Sequence, residues 1–468
     1  MKKSFLLVVL AVTAIFCSSI VTANSQSRVN AQHTGYYANV NGPETANVKW
    51  VVNIGTKCGL YPSPIIDTIG GGERIICSTD SGVVIFNPNG TLWEKIGTGY
   101  QILTGTATLN GFVFFGAKDS LIVINSNLND TSNHWSYYIG SNATSPTVFN
   151  NKVYICAGKK LYCFNDSTLE WSTDAGKGAN PTSAPTIGDS GRIYVATKQD
   201  TSYDYRIYCF NPNGIQRWIY ESNNGERTGI FPTPVVDSSG NIYVSTYARD
   251  SATSSFYAVT ENGWEAFERF LRNCYAAPAI YGGNIICCTQ NGIWAVNRSN
   301  NTTTWHWTSS DSVFTTCSPI IDANGKIFVA TDKGLLLAIT KNGSCQWFLE
   351  TQEGPIESAV LGADGTLYVL TCSGKLYAIG RDIATEEKGN IVKDIMVFPT
   401  VSSTKFAIQA PEKSKICVYD IAGKLVKTVK GSFWNGTNEL NQRSPSGMYF
   451  INFTVGERKV TKKLIWVK

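Results

Sequence analysis

The sequence predicts an all-β protein, an eight-bladed β-propeller followed by a small immunoglobulin-like β-sandwich. Three observations lead there: a unit of short extended runs that recurs eight times, a lone strand-like stretch ahead of the first copy, and a C-terminal stretch, 394–468, with strands and turns of its own.

The unit is clearest in Ser318–Trp347. An extended run after Ser318-Pro319 leads to the turn Asn324-Gly325 and the run Lys326–Thr331; a Lys-Gly turn, the run Leu335–Thr340, a second Asn-Gly turn and a stretch ending on Trp347 follow. Short β-branched and aromatic runs, separated by residues that tolerate positive φ, spell successive antiparallel hairpins. A lone four-stranded sheet cannot bury both faces, so the unit needs neighbours. Pro185–Trp218 and Pro234–Phe267 repeat its order, and weaker copies span Pro64–Trp93, Gly105–Trp135, Pro146–Trp171, Pro278–Trp307 and Ser358–Ile379. Periods of about 35 to 50 residues belong to propellers and solenoids.

The two ends of this array complement each other. Ser358–Ile379 stops before its Trp strand, whereas Val48-Lys49-Trp50 is a Trp-bearing strand with no unit of its own. Pairing them links stretches about 330 residues apart and removes two exposed sheet edges. An open solenoid has no use for that half-unit, so a closed ring is expected over residues 47–381.

The repeated Gly-x-Ile/Leu-Tyr, Gly-x-Leu-Tyr-Ala-Ile and Asn-Gly-x-x-x-Trp resemble the pyrroloquinoline-quinone-like propeller repeat. That superfamily includes quinoprotein alcohol dehydrogenases and the non-enzymatic outer-membrane barrel-assembly lipoprotein. The resemblance implies a fold and leaves the function open, because one fold hosts many chemistries.

Ahead of the ring, Met1-Lys2-Lys3, the apolar run Phe5–Phe16 and Val21-Thr22-Ala23 have the three parts of a secretory signal, with cleavage expected after Ala23. Phe16 stands before Cys17 where a lipoprotein site would have a small residue, which argues against lipidation. Residues 24–46 read as disordered. The formal charge of +5 falls to +3 without Lys2 and Lys3, too little to argue for nucleic acid or anionic membrane. No other apolar run approaches the ~20 residues of a membrane helix.

Beyond the ring, residues 382–393 are charged, lack strand alternation and read as a linker. Strands are expected near Ile395–Phe398, Lys405–Gln409, Lys415–Asp420, Lys424–Lys430, Met448–Val455 and Val460–Val467, a spacing that suits an immunoglobulin-like sandwich over 394–468. Val397-Phe398-Pro399, Val418–Val426, Gly447-Met448-Tyr449-Phe450 and Lys462–Lys468 resemble the C-terminal sorting domain of type IX secretion substrates. That resemblance implies a Bacteroidetes-type bacterium, the type IX secretion machinery as a partner, and a product that is secreted or attached to the outer membrane or cell surface. Thr400-Val401 departs from the family's Asn-Pro.

Little in the chain reads as catalytic chemistry. Cys163 and Cys209 occupy the slot that Ala258, Ala338 and Ala378 fill in sister repeats, so the cysteines read as small core hydrophobes. Cys287-Cys288 resembles the adjacent disulfide of some quinoproteins, yet it falls in the strand segment Asn284–Thr289, where neighbours point to opposite faces. His134 and His306 adjoin Trp135 and Trp307 in different repeats and cannot readily converge; His33 falls in the stretch read as disordered. Asp237, Asp322 and Asp364 sit in hairpin turns, where Asp caps its own backbone. No catalytic residue, metal ligand or cofactor is assigned.

The irregularities of the repeat point to a surface instead. Insertions at Lys198–Arg206 and Tyr247–Ser255 and the long connection Glu221–Phe231 all fall on one rim of adjacent repeats. Tyr203, Tyr205, Arg227, Phe231, Tyr247 and Arg249 are the candidate contacts, since Tyr and Arg anchor interfaces. The expectation is an exported, monomeric, non-catalytic scaffold that binds a protein or glycan. The alternatives are a quinone- or calcium-dependent dehydrogenase and a carbohydrate-active enzyme on the same ring.

Overall fold

The computed structural model describes residues 26–467 apart from 56–62, 98–101, 126–133, 141–142, 166, 177–179, 182, 199–204, 222–232, 246–254, 272–273, 275, 291, 309–316, 381–395, 399–400, 403–404, 411–413 and 456–457. The predicted leader 1–23 and linker 382–393 lie outside them. The chain divides into two compact units, Met1–Asp382 and Ile383–Lys468. No helix occurs among the described residues.

Among its described residues the first unit holds eight antiparallel sheets, numbered here 1 to 8 along the chain. Sheet 7 shows the plan: Ile320–Ile321, Ile327–Ala330, Leu335–Ile339 and Cys345–Glu350 pair in order. Its second and third strands are buried throughout, while the fourth is buried only in part. Sheets stacked face to face on both sides produce that gradient, because only the outermost strand meets water. First strands adjoin between sheets 1 and 2, 2 and 3, 3 and 4, 4 and 5, and 6 and 7, and that of sheet 8, Ile356–Leu361, adjoins the second strand of sheet 7 and the first of sheet 1, Ile65–Ile69. The architecture is therefore propeller-like.

Sheet 8 is completed from the other end of the chain. Val48–Asn53 pairs antiparallel with Lys375–Ile379, Trp50 opposite Ala378, as the sequence predicts. Several sheets are keyed to the next by a tryptophan. The Trp218 indole donates to the Glu261 carbonyl at 3.0 Å and lies over Gly263 of sheet 5; Trp305 donates to Lys341 at 2.7 Å over Gly343 of sheet 7. Trp50 does the same across the closure, donating to Pro88 of sheet 1 at 2.9 Å. Trp347 faces sheet 8, whose outer strand comes from the N-terminal side and has no such turn. It donates instead to the Pro43 carbonyl at 3.0 Å, so the chain entering Val48–Asn53 supplies the missing key.

The reading of 24–46 as disordered is overturned for the described part, residues 26–46. This segment runs along the innermost strands, one sheet after another. Gln26 bridges Ala107 of sheet 2, and its side chain bonds both N–H and C=O of Val148 in sheet 3. The carbonyls of Ala31, Gln32, Thr34 and Gly35 then accept from Ile187, Val236, Ile280 and Ile321, in sheets 4, 5, 6 and 7. The first strand of each sheet has one unpaired edge, and buried N–H groups require acceptors; the segment provides them. Close approach explains its small residues, since a Cβ on Gly42 would lie 2.4 Å from the Phe328 ring. With only a few bonds to any one sheet there is no alternation to read, which is why the sequence suggests disorder.

The second unit holds a three-stranded sheet (Met396–Phe398, Phe406–Gln409, Phe433–Trp434) and a five-stranded sheet. In the latter, Val401–Ser402 runs parallel to Arg458–Trp466, followed by Gly447–Val455, Lys415–Asp420 and Leu425–Val429. Phe406 and Trp434 from one sheet share a core with Val418, Tyr449, Ile451, Phe453, Leu464 and Trp466 from the other. Phe406 stacks on Trp434 with centroids 5.4 Å apart, and Tyr449 meets Trp434 edge-on at 5.2 Å.

Candidate functional site

The rim chosen from the sequence belongs to sheets 4 and 5. Ile193–Lys198 pairs with Tyr205–Phe210 as far as Lys198 opposite Tyr205, so Tyr205 and Arg206 stand in the ladder and not in the insertion expected at Lys198–Arg206. Arg206 faces Glu221 across the next strand pair, Nε to Oε1 at 3.0 Å. In sheet 5, Ser245 pairs with Phe256 and Ser255 with Phe270. The connections that begin at Lys198, Glu221 and Ser245 therefore leave from the same end of adjoining sheets. Tyr203, Arg227, Phe231, Tyr247 and Arg249 lie outside the described residues, and of Tyr205 only the backbone is described.

One residue at this end escaped the sequence reading. Phe270, the last residue of Glu265–Phe270, is 66% exposed opposite Ser255. Its signal was available: in Glu-Ala-Phe-Glu-Arg-Phe the alternation that turns Phe267 inward turns Phe270 outward.

At the axis the structure places three side chains that the sequence left aside. His33 is buried; its Nε2 lies 3.2 Å from the Pro185 carbonyl and 3.3 Å from Thr147 Oγ1. Burial first, and then the Arg28 charge, pull its pKa down to about 4, so the imidazole is neutral at pH 7. Tyr37 is buried, and burial raises its phenol. Arg28 donates from Nη2 to the Pro278 carbonyl.

The other candidates resolve into structural roles. Cys287 and Cys288 are separate buried thiols opposite Trp294 and Ile293. Cys287 lies in the core shared by sheets 5 and 6, and burial raises both thiols well above their ordinary value. His306 stacks on Trp294 with centroids 4.9 Å apart. Asp237 and Asp322 cap their turns, each Oδ1 accepting two backbone N–H groups at 2.8 to 3.0 Å, and Asp364 accepts that of Thr366 at 2.9 Å. No group of three or more His, Cys, Asp or Glu suited to a metal occurs among the described residues. A quinone with calcium needs acidic ligands and an open floor on the axis. The described axial residues do not fit it, because an arginine, a neutral histidine and the chain's own backbone line the inner strands.

Comparison with known proteins places the chain. Residues 79–307 match the family described as outer membrane protein assembly factor BamB, and residues 396–468 match the secretion system C-terminal sorting domain. The chain thus combines a BamB-like repeat domain with a type IX sorting domain, which makes it a secreted or cell-surface propeller protein of Bacteroidetes.

No curated protein sequence matches it. Among solved structures, a europium-containing methanol dehydrogenase is similar at 12% identity and a TM-score of 0.61, over 75% of this chain and 89% of that one. BamB from Moraxella catarrhalis is similar at 14% identity and 0.54, over 72% and 99%. Quinohemoprotein alcohol dehydrogenase from Comamonas testosteroni is similar at 12% identity and 0.58, over 80% and 83%. At these identities the likeness is one of fold.

Proposed function

We propose that the protein is an exported, non-catalytic eight-bladed propeller that displays a binding rim to a protein or glycan, carried across the outer membrane by an immunoglobulin-like sorting module. The observation that carries this reading is the axial segment. Residues 26–42 spend their backbone groups on the inner strands of successive sheets, in the region where a dehydrogenase built on this ring would hold its cofactor. Binding then falls to the periphery, and three connections leave adjoining sheets 4 and 5 at one end, beside the exposed Phe270. A rigid ring presents such loops with little ordering cost on association.

The test is a triple variant, Tyr203→Ala with Tyr205→Ala and Arg249→Ala, compared with the wild type on a glycan array and in quantitative capture from envelope fractions. Loss of a specific bound species at an unchanged unfolding temperature supports the rim; identical binding profiles reject it. Dye-linked alcohol oxidation after reconstitution with pyrroloquinoline quinone and calcium would overturn the non-catalytic reading.

A further inference from the structure

The formal charge of the chain averages two unlike parts. Residues 396–468 hold 12 lysines and arginines against 4 aspartates and glutamates, a surplus of eight positive charges. Residues 24–395 hold 26 against 31, so the ring is mildly acidic and the tail strongly basic. Such asymmetry within one chain points to an anionic partner for the basic part. Of the four tail carboxylates, Asp420 caps its own turn and Glu439 accepts the Thr428 N–H at the edge strand. Glu412 and Glu457 lie outside the described residues, and the surplus already counts them.

The tail's five-stranded sheet turns Tyr449, Ile451 and Leu464 into the core, so the alternate residues form its outer face. On that face Ile465 stands opposite Met448, and Lys463, Phe450 and Tyr419 form one row across three strands. Lys415, opposite Thr454, lies farther along the same face. The outer face of a sandwich sheet ordinarily alternates to polar residues. Here Met448, Phe450, Tyr419 and Ile465 make a continuous apolar band, with Ile465 38% exposed. Lys415 and Lys463 are exposed beside it, and neither pairs with a carboxylate among the described residues. Lysine is depleted at protein interfaces, which anchor on Trp, Tyr and Arg in pockets. A flat apolar band flanked by lysines suits an anionic bilayer instead, where lysine stems lie on the apolar surface and the ammonium groups reach phosphates. A secreted or cell-surface protein of this class meets such a surface at the outer membrane.

We propose that the outer face of the tail's five-stranded sheet docks on an anionic lipid surface, with the apolar band at headgroup depth and Lys415 and Lys463 on lipid phosphates. Residues 24–468 are sedimented with vesicles of phosphatidylcholine, alone or mixed in equal parts with phosphatidylglycerol. The chain binds the mixed vesicles and not the neutral ones, and binding weakens steeply as salt rises from about 50 to 500 mM. Lys415→Gln with Lys463→Gln weakens it roughly 30-fold, about fivefold for each lysine near the surface. Lys95→Gln with Lys341→Gln, the same change of charge on the ring, leaves it unaltered. Ile465→Gln weakens it severalfold at every salt concentration. If the double tail variant does not fold, the two single variants decide, each expected to lose about fivefold. Equal binding to both kinds of vesicle, no binding at low salt, or equal losses in the tail and ring variants would each overturn the proposal. Capture of an acidic envelope protein through Lys415 and Lys463, without vesicle binding, would assign the face to a protein and overturn it as well.

Discussion

Gly263 is required for two reasons that act together. Its φ is +86°, and a Cβ there would lie 2.7 Å from the Trp218 ring that keys sheet 4 to sheet 5. Gly263→Ala should therefore cost about 2 kcal/mol or more, read as a fall in the midpoint of denaturant unfolding at unchanged slope. Asn-Gly in the sequence announces the turn; that the glycine also makes room for a tryptophan about forty residues away needs the structure. His33 shows the same division. Its folded pKa of about 4 lies below the ordinary 6.5, so the unfolded chain binds the proton more readily. The stability it confers is full above pH 6.5 and is lost as pH falls toward 4, up to about 3 kcal/mol. His33→Asn should flatten the wild-type loss of stability across that window, measured by urea unfolding at a series of pH values. Among the described cysteines, only Cys345 is exposed and Cys372 is intermediate. Of these described cysteines, iodoacetamide should modify Cys345 first in the native protein, and the buried ones only after denaturation, as peptide mapping would show.

At the scale of elements, the strand that closes the ring was legible because it carries a pattern: Val-Lys-Trp-Val-Val alternates, and its partner unit lacks a fourth strand. Trp50 packs its ring on Tyr368 at 5.7 Å and donates to Pro88, so it holds sheet 8 to its own strands and to sheet 1. Trp50→Ala should lower stability by about 3–5 kcal/mol. Loss of protection in amide exchange should appear first in Lys375–Ile379 and Leu92–Gly97, the strands on either side of the closure. Residues 26–42 were not legible, since they bond one sheet after another and local sequence gives such contacts no period. In the tail, most strands were anticipated to within a residue or two. Val401–Ser402 and Phe433–Trp434 were missed, because two-residue strands are defined by their partners and not by their own composition.

At the scale of the molecule, two units with separate cores follow one another along the chain. Cutting between them within residues 381–395 should leave the 1–382 fragment with the unfolding temperature of its transition in the full chain, read by scanning calorimetry. The sequence by itself determined the hairpin strands, the turns, the partner of Val48–Asn53 and the sorting motifs at the C-terminus. All of these are written in local periods and short motifs that survive without knowledge of what packs against them. The tertiary structure alone decided that the stretch after the leader lines the axis, that Pro43 stands in for a turn sheet 8 lacks, and that His33 is buried. Those features rest on single contacts between residues far apart in the chain, and such contacts take effect only once the sheets have assembled around a common axis.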